Sequence, residues 1–192
     1  MIMGKHGISQ TTPSNILLGA GTWHKGLMFA SGKWEGTCVG ATSGGGKIAL
    51  SGELKDIELD GATVKVKGLT VKQGGTATAE VNFAELSNAV LKMGTLFTEG
   101  ESDAEGFTML VDKANITDGD YLDDFGFVGE TADGSKQIIV IFEHALCTSG
   151  LELEGKAKEN AVIKLTLEAC AAIEGNLDTL PVKIYYPDDP AV

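Results

Sequence analysis

The chain contains no arginine: all fifteen of its basic residues are lysine, set against 27 Asp and Glu for a formal net charge of −12. Arginine supplies the planar fork that grips phosphates and guanine edges. Its absence, with the acidic balance, argues strongly against specific nucleic-acid recognition, although nucleic acid can still pass close by. No apolar run is long enough to span a bilayer. The opening Met1-Ile-Met-Gly-Lys-His-Gly7 lacks the apolar core of a secretory signal, so the protein is expected to be made and assembled inside the cell. Cysteine is sparse and odd in number. Cys38, Cys147 and Cys170 are too widely spaced for a zinc pattern or a disulfide framework, and reduced, mostly buried thiols are expected. Proline is scarce, at 4, while glycine is plentiful, at 26, which suits short strands joined by tight turns.

Motifs of chemistry are equally thin. Ala41-Thr-Ser-Gly-Gly-Gly-Lys47 imitates a phosphate loop, but Ile48 stands where a magnesium-binding hydroxyl is needed and no helix follows. Asp118-Gly-Asp120 with Asp123-Asp124 imitates part of a calcium loop without its glycine and distal glutamate, and reads as a solvated turn. His144 and Cys147 could form a thiol–imidazole pair, yet strand alternation puts them on opposite faces. No nucleophile elbow, dinucleotide fingerprint or scaffolded carboxylate pair is present. No catalytic residue, cofactor or metal is assigned.

What is present is a succession of strands within 192 residues, enough for one sizeable core. Residues 1–14 read as a polar arm and residues 15–192 as one domain. Ile16–Ala20 is expected as a first strand, and 21–50 as a long irregular segment rich in Gly, Thr and Ser. Asp60-Gly61 lies between alternating runs and predicts a hairpin over 53–67, with Asp56 opposite Lys65, a largely apolar face (Ile57, Leu59, Val64, Val66) and a mostly polar one. Thr76–Val81 reads as a strand. Leu86, Ala89, Val90 and Met93 make a helical stripe, with Asn82 and Glu85 as capping box and Gly94 as stop. Residues 98–106 read as an acidic loop and Phe107–Val111 as a strand.

A second hairpin turns at Asp133-Gly134. Its pairing puts Phe125, Phe127, Ile138, Val140 and Phe142 on one face, and Val128, Ile139 and Ile141 on the other. A face of each kind needs a cover, either the helix or another subunit, so Val128, Ile139 and Ile141 are the candidate subunit-interface residues. Ile163, Leu165 and Leu167 alternate inward on a further strand, and Pro181–Pro187 forms the last. The fold class that follows is mainly β, a two-sheet sandwich or barrel with one flanking helix.

The run Tyr121-Leu-Asp-Asp-Phe-Gly-Phe-Val-Gly129, Asp133-Gly134, Ile138-Ile-Val-Ile-Phe-Glu-His-Ala-Leu146, Leu151-Glu-Leu-Glu154 and Glu159–Leu167 resembles the C-terminal half of bacteriophage tail tube proteins, the major tail proteins. Gly40-Ala-Thr42, Glu53, Ile57-Glu58 and Asp60-Gly61 extend the resemblance over about Asn15 to Pro187. It implies a tail-tube-like domain with an N-terminal arm and a long loop, forming stacked hexameric rings whose sheets join into an inner barrel. It further implies a place in the virion tail, and partners among other tail proteins (tape measure, terminator, distal tail or baseplate). The protein would be a non-enzymatic conduit for DNA. Arm and long loop are expected to order only between rings. Six copies of −12, or −72 per ring, would let DNA slide, with Asp56 and Glu58 as lumen candidates. The inner tube of a contractile tail or of a related secretion system shares this architecture. The alternative from another class is a secreted or surface β-sandwich binding module, for which a signal peptide or an exposed aromatic cluster would speak.

Overall fold

A computed structural model describes residues 7–10, 12–153 and 161–187. The chain is mainly β with one short helix. The strands are β1 (Leu17–Ala30), β2 (Lys33–Cys38), β3 (Thr42–Asp56), β4 (Thr70–Phe83), β5 (Thr98–Gly100), β6 (Met109–Val111), β7 (Leu122–Thr131), β8 (Gln137–Cys147), β9 (Ile163–Ala169) and β10 (Val182–Tyr185), and the helix is α1 (Asn88–Thr95). The large sheet runs β2-β1-β7-β8-β9-β4-β3, entirely antiparallel, while β5 and β6 pair by themselves. The strand β8 has two neighbours on one side: β10 along Ile139–Phe142 and β9 along Ala145–Cys147. There the sheet divides and folds over its own core.

That core follows from alternation. Ala77, Ala79, Val81 and Phe83 of β4 and Ile163, Leu165 and Leu167 of β9 point inward, as the period-2 pattern requires. They meet Trp23, Phe125, Phe127, Val140 and Phe142 from the β1–β7–β8 side, with Val90 and Met93 of α1 completing the cluster. The β7–β8 register is the one expected from its turn: Phe125 pairs with Phe142, Phe127 with Val140, Val128 with Ile139 and Glu130 with Gln137. Within β7, Asp124 takes φ 46°, a left-handed conformation unusual for a residue inside a strand.

The second face of that hairpin needs no partner to be covered. Ile139 and Ile141 are 2% and 3% exposed in the single chain, packed against Leu27 and Trp34 with Val128 beside them. Of the three subunit-interface candidates, Ile139 and Ile141 are therefore covered within the single chain, while Val128 stays partly exposed. The cause is a bulge in β1. Lys25 pairs with Thr37 but Met28 with Glu35, so β1 carries one extra residue around Gly26, at φ 61°. Trp23 and Leu27 would share a face in a regular strand. The extra residue sends Trp23 into the main core and Leu27 to the opposite side, over Ile139 and Ile141.

Other expectations are corrected too. Residues 21–50 are not an irregular loop but most of β1, all of β2 and the start of β3. The β1–β2 connection is Ser31-Gly32, both at positive φ, the requirement of a tight type I′ turn. The hairpin expected over 53–67 is instead the tip of a longer one. The β3–β4 ladder ends at Asp56–Thr70, and residues 57–69 form a loop. Asp60-Gly61 does make a turn, with Ala62 N–H donating to the Leu59 carbonyl at 3.2 Å and Gly61 at φ 88°. Asp56 and Lys65 also meet, at 3.0 Å, but without a ladder between them. The helix is capped by Ser87, whose Oγ accepts from Val90 N–H at 3.2 Å, and stopped by Leu96 in the left-handed region, not by Asn82 and Gly94. Asn82 lies in β4 and donates to the Gly45 carbonyl, while Glu85 accepts from Ala41 N–H. Leu86 precedes the helix and is exposed. Part of the expected arm, 1–6 and 11, and the stretch 154–160, including the start of the run at Glu159, lie outside the described residues.

Candidate assembly surface

The most unusual surface is the far half of the β3–β4 hairpin. From Ser51 to Gly68, the end of β3 and the loop, every residue is exposed, as are Val71, Lys72 and Gln73 at the start of β4, so this arm stands away from the core. It nevertheless carries large apolar side chains: Leu54 is 64% exposed, Leu59 57% and Val64 76%, with Ile57, Val66 and Val71 also bare. A two-stranded hairpin with no packed face is marginal by itself. Its charges balance: residues 51–75 hold four lysines (55, 65, 67, 72) and four acids (Glu53, Asp56, Glu58, Asp60), so the whole net charge of −12 resides elsewhere. Thr70 donates to the Asp56 carboxylate and Lys65 pairs with it, which together hold its pKa below the usual range. Among the described residues Glu58 has no such partner, and it is the open carboxylate of the two lumen candidates.

Two sheet edges are also open. Among the described residues β2 pairs only with β1, and β3 only with β4. Glycine at 44 and 45, both at positive φ, begins β3 in place of any phosphate loop, and no helix follows. Gly46 is required for packing, since a Cβ there would stand 2.9 Å from the Trp23 ring.

A third feature was invisible in the sequence. Phe29, Trp34 and Tyr185, from β1, β2 and β10, contact one another edge to face, with ring centroids 5.2 and 4.8 Å apart. Tyr186 continues the row under Lys136, whose Nζ lies 5.3 Å from its ring centre. Phe29 is 61% exposed, and Tyr185 and Tyr186 nearly half. Only strand pairing brings residues 29, 34 and 185 together, so no local pattern could have announced this cluster.

The residues singled out for chemistry are placed as follows. Cys147 is buried in the main core, and His144 lies on the other face with Nδ1 2.7 Å from Asp123 Oδ1, so the two do not meet. His144 instead lines a shallow recess with Cys170 and Tyr121. Burial, and then the Glu168 charge, push the Cys170 thiol up, away from the thiolate a nucleophile needs. Labelling of the folded protein with a disulfide reagent at neutral pH should therefore modify exposed Cys38 first, Cys170 slowly and Cys147 only on unfolding. Cys170 reacting ahead of Cys38 would overturn this order and revive thiol chemistry. The acidic stretch 118–124 is likewise accounted for. Burial alone would raise the Asp120 pKa, but hydrogen bonds from Lys113 at 2.5 Å and from Thr117 outweigh it and hold the carboxylate low. Among the described residues no group of three or more His, Cys, Asp or Glu side chains could hold a metal ion. No helix described is long and apolar enough to cross a membrane. No protein-family model matches the chain, and no curated protein matches it.

Proposed function

We propose that this chain is a self-assembling structural protein of the tail tube kind, whose copies join edge to edge into hexameric rings that stack into a conduit for DNA. The observation that carries the reading is the β3–β4 arm: apolar, charge-balanced and bare on both sides, on a body that holds all of the net charge. An arm of this kind gains a packed face only by lying on another molecule. Its neutrality removes the repulsion that would otherwise meet it on a second copy of an acidic protein. The open β2 and β3 edges support the same reading, because joining copies through them satisfies their unpaired backbone groups. With Ile139 and Ile141 covered inside the subunit, the arm is the better candidate for the contact between copies. The balance of acid over base and the lack of arginine suit a channel that DNA must slide through without sticking.

Negative-stain microscopy with sedimentation across concentration tests the proposal: rings or tubes that grow with concentration are expected. A strictly monomeric species at the highest concentration, even when seeded with native tails, would overturn it. The aromatic row of Phe29, Trp34, Tyr185 and Tyr186 favours a second reading, a β-sandwich binding module. A monomer that binds a soluble ligand through that row would support it instead.

A further inference from the structure

Beside the aromatic row lies an open groove lined by Trp34, Gln137, Ile139, Tyr185, Tyr186 and Pro187. We propose that this groove receives the N-terminal segment Met1–Ile8 of a second copy, an inference that rests on self-assembly and names one of its contacts. Composition is the first argument. Residues 1–14 contain no Asp or Glu and one lysine, Lys5, so the remaining chain holds 14 lysines against 27 acids, a net −13. The segment is free of acids in an acidic protein, and the groove it would enter is mostly aromatic and apolar, with Lys136 and Ser135 at its turn side and Asp133 in the adjoining turn. Its apolar residues are Met1, Ile2, Met3 and Ile8. Unbranched, polarizable thioethers suit an irregular aromatic surface and make favourable sulfur–ring contacts.

Position is the second argument. Asn15 is held at the same rim: Tyr186 Oη donates to its Oδ1 at 3.0 Å and Lys136 Nζ at 3.2 Å. The described residues before it stay outside the groove. None of residues 7–10 and 12–14 lines it, residues 7–10 are exposed, and Ile8 is 70% exposed. Eight extended residues reach about 26–29 Å, enough to leave one subunit and lie along the next. Segment and groove are different patches of one chain, so the contact is head to tail. Each copy gives one segment and receives another, which propagates instead of closing on a dimer.

The test uses the full chain with the photo-crosslinker benzoylphenylalanine at Met3, mixed in equal parts as isotopically heavy and light copies, assembled, irradiated, digested and analysed by mass spectrometry. Mixed-isotope links from the N-terminal peptide to peptides containing Trp34 or Tyr185–Tyr186 are expected. The double change Tyr185→Ala and Tyr186→Ala, at exposed positions, should lower their yield about tenfold. Links within single-isotope chains alone, or links to any other face, overturn the proposal. So does a crosslinker at Leu59 that reaches the groove, since the arm would then be its occupant. Microscopy of the same sample separates the two levels of inference. Tubes without these links remove the docking and leave assembly standing, whereas an absence of tubes removes both.

Discussion

Changing Leu54, Ile57, Leu59 and Val64 together to serine should abolish ring and tube formation while leaving a folded monomer. All four are exposed in the single chain, so the fold itself loses little. If each regains about 1 kcal/mol of apolar burial in a contact between copies, as partial burial of such side chains gives, the four together supply ~4 kcal/mol per contact, about a thousandfold in its equilibrium constant. Ordered rings repeat that contact, so the loss compounds. Circular dichroism and urea unfolding check the monomer, and sedimentation with microscopy checks assembly. Tubes of normal length from this variant would overturn the role given to the arm. The matching charge change, Asp56→Lys with Glu58→Lys, separates two positions for the same element. Tubes should persist, because the apolar residues are untouched. If the carboxylates face the lumen, DNA passage should slow, most at low salt, since screening confines the effect to groups within about 8 Å of the DNA path. Normal passage through intact tubes would put this polar face outside.

Trp23→Ala should cost about 3–5 kcal/mol, a large part of the ~5–15 kcal/mol that holds a domain of this size. Trp23 is fully buried, stacked on Phe125 at 5.4 Å and tilted against Phe127 at 5.1 Å, with Gly46 leaving room for its ring. It joins the β1–β7 pair to β3, so its loss opens a cavity between the two sides of the core. Trp23→Phe should cost much less. The indole Nε1 is buried with no hydrogen-bond partner among the described residues, so removing it also removes an unsatisfied donor and offsets part of the lost contact. Urea unfolding of the three proteins measures both differences. A cost below 1 kcal/mol for the alanine variant would mean that Trp23 does not organise this core.

Elements whose pattern and turn lie close together in the chain were legible without the structure. The β7–β8 hairpin was legible because Asp133-Gly134 fixes the register, and the register fixes which of Phe125, Phe127, Val140 and Phe142 meet. The strand β9 was legible from its alternation alone, with Ile163, Leu165 and Leu167 all buried. The departures of 41–48 from a phosphate loop and of 118–124 from a calcium loop were legible because each lacks a residue its mechanism requires. The hairpin expected over 53–67 differs for an instructive reason. Asp60-Gly61 is a genuine turn, but pairing there competes with a longer ladder set by Ala77, Ala79, Val81 and Phe83, which must pack on β9. Long-range burial anchors β4, β4 sets the register of β3, and residues 57–69 are left as a loop whatever their local alternation. Tertiary structure alone decided the rest. A single extra residue near Gly26 turns Leu27 away from Trp23 and covers Ile139 and Ile141 within the subunit, moving the candidate contact surface to the arm. The aromatic row came from the same source. Phe29, Trp34 and Tyr185 are up to 156 positions apart in the chain, and only the order of strands in the folded sheet sets their rings side by side.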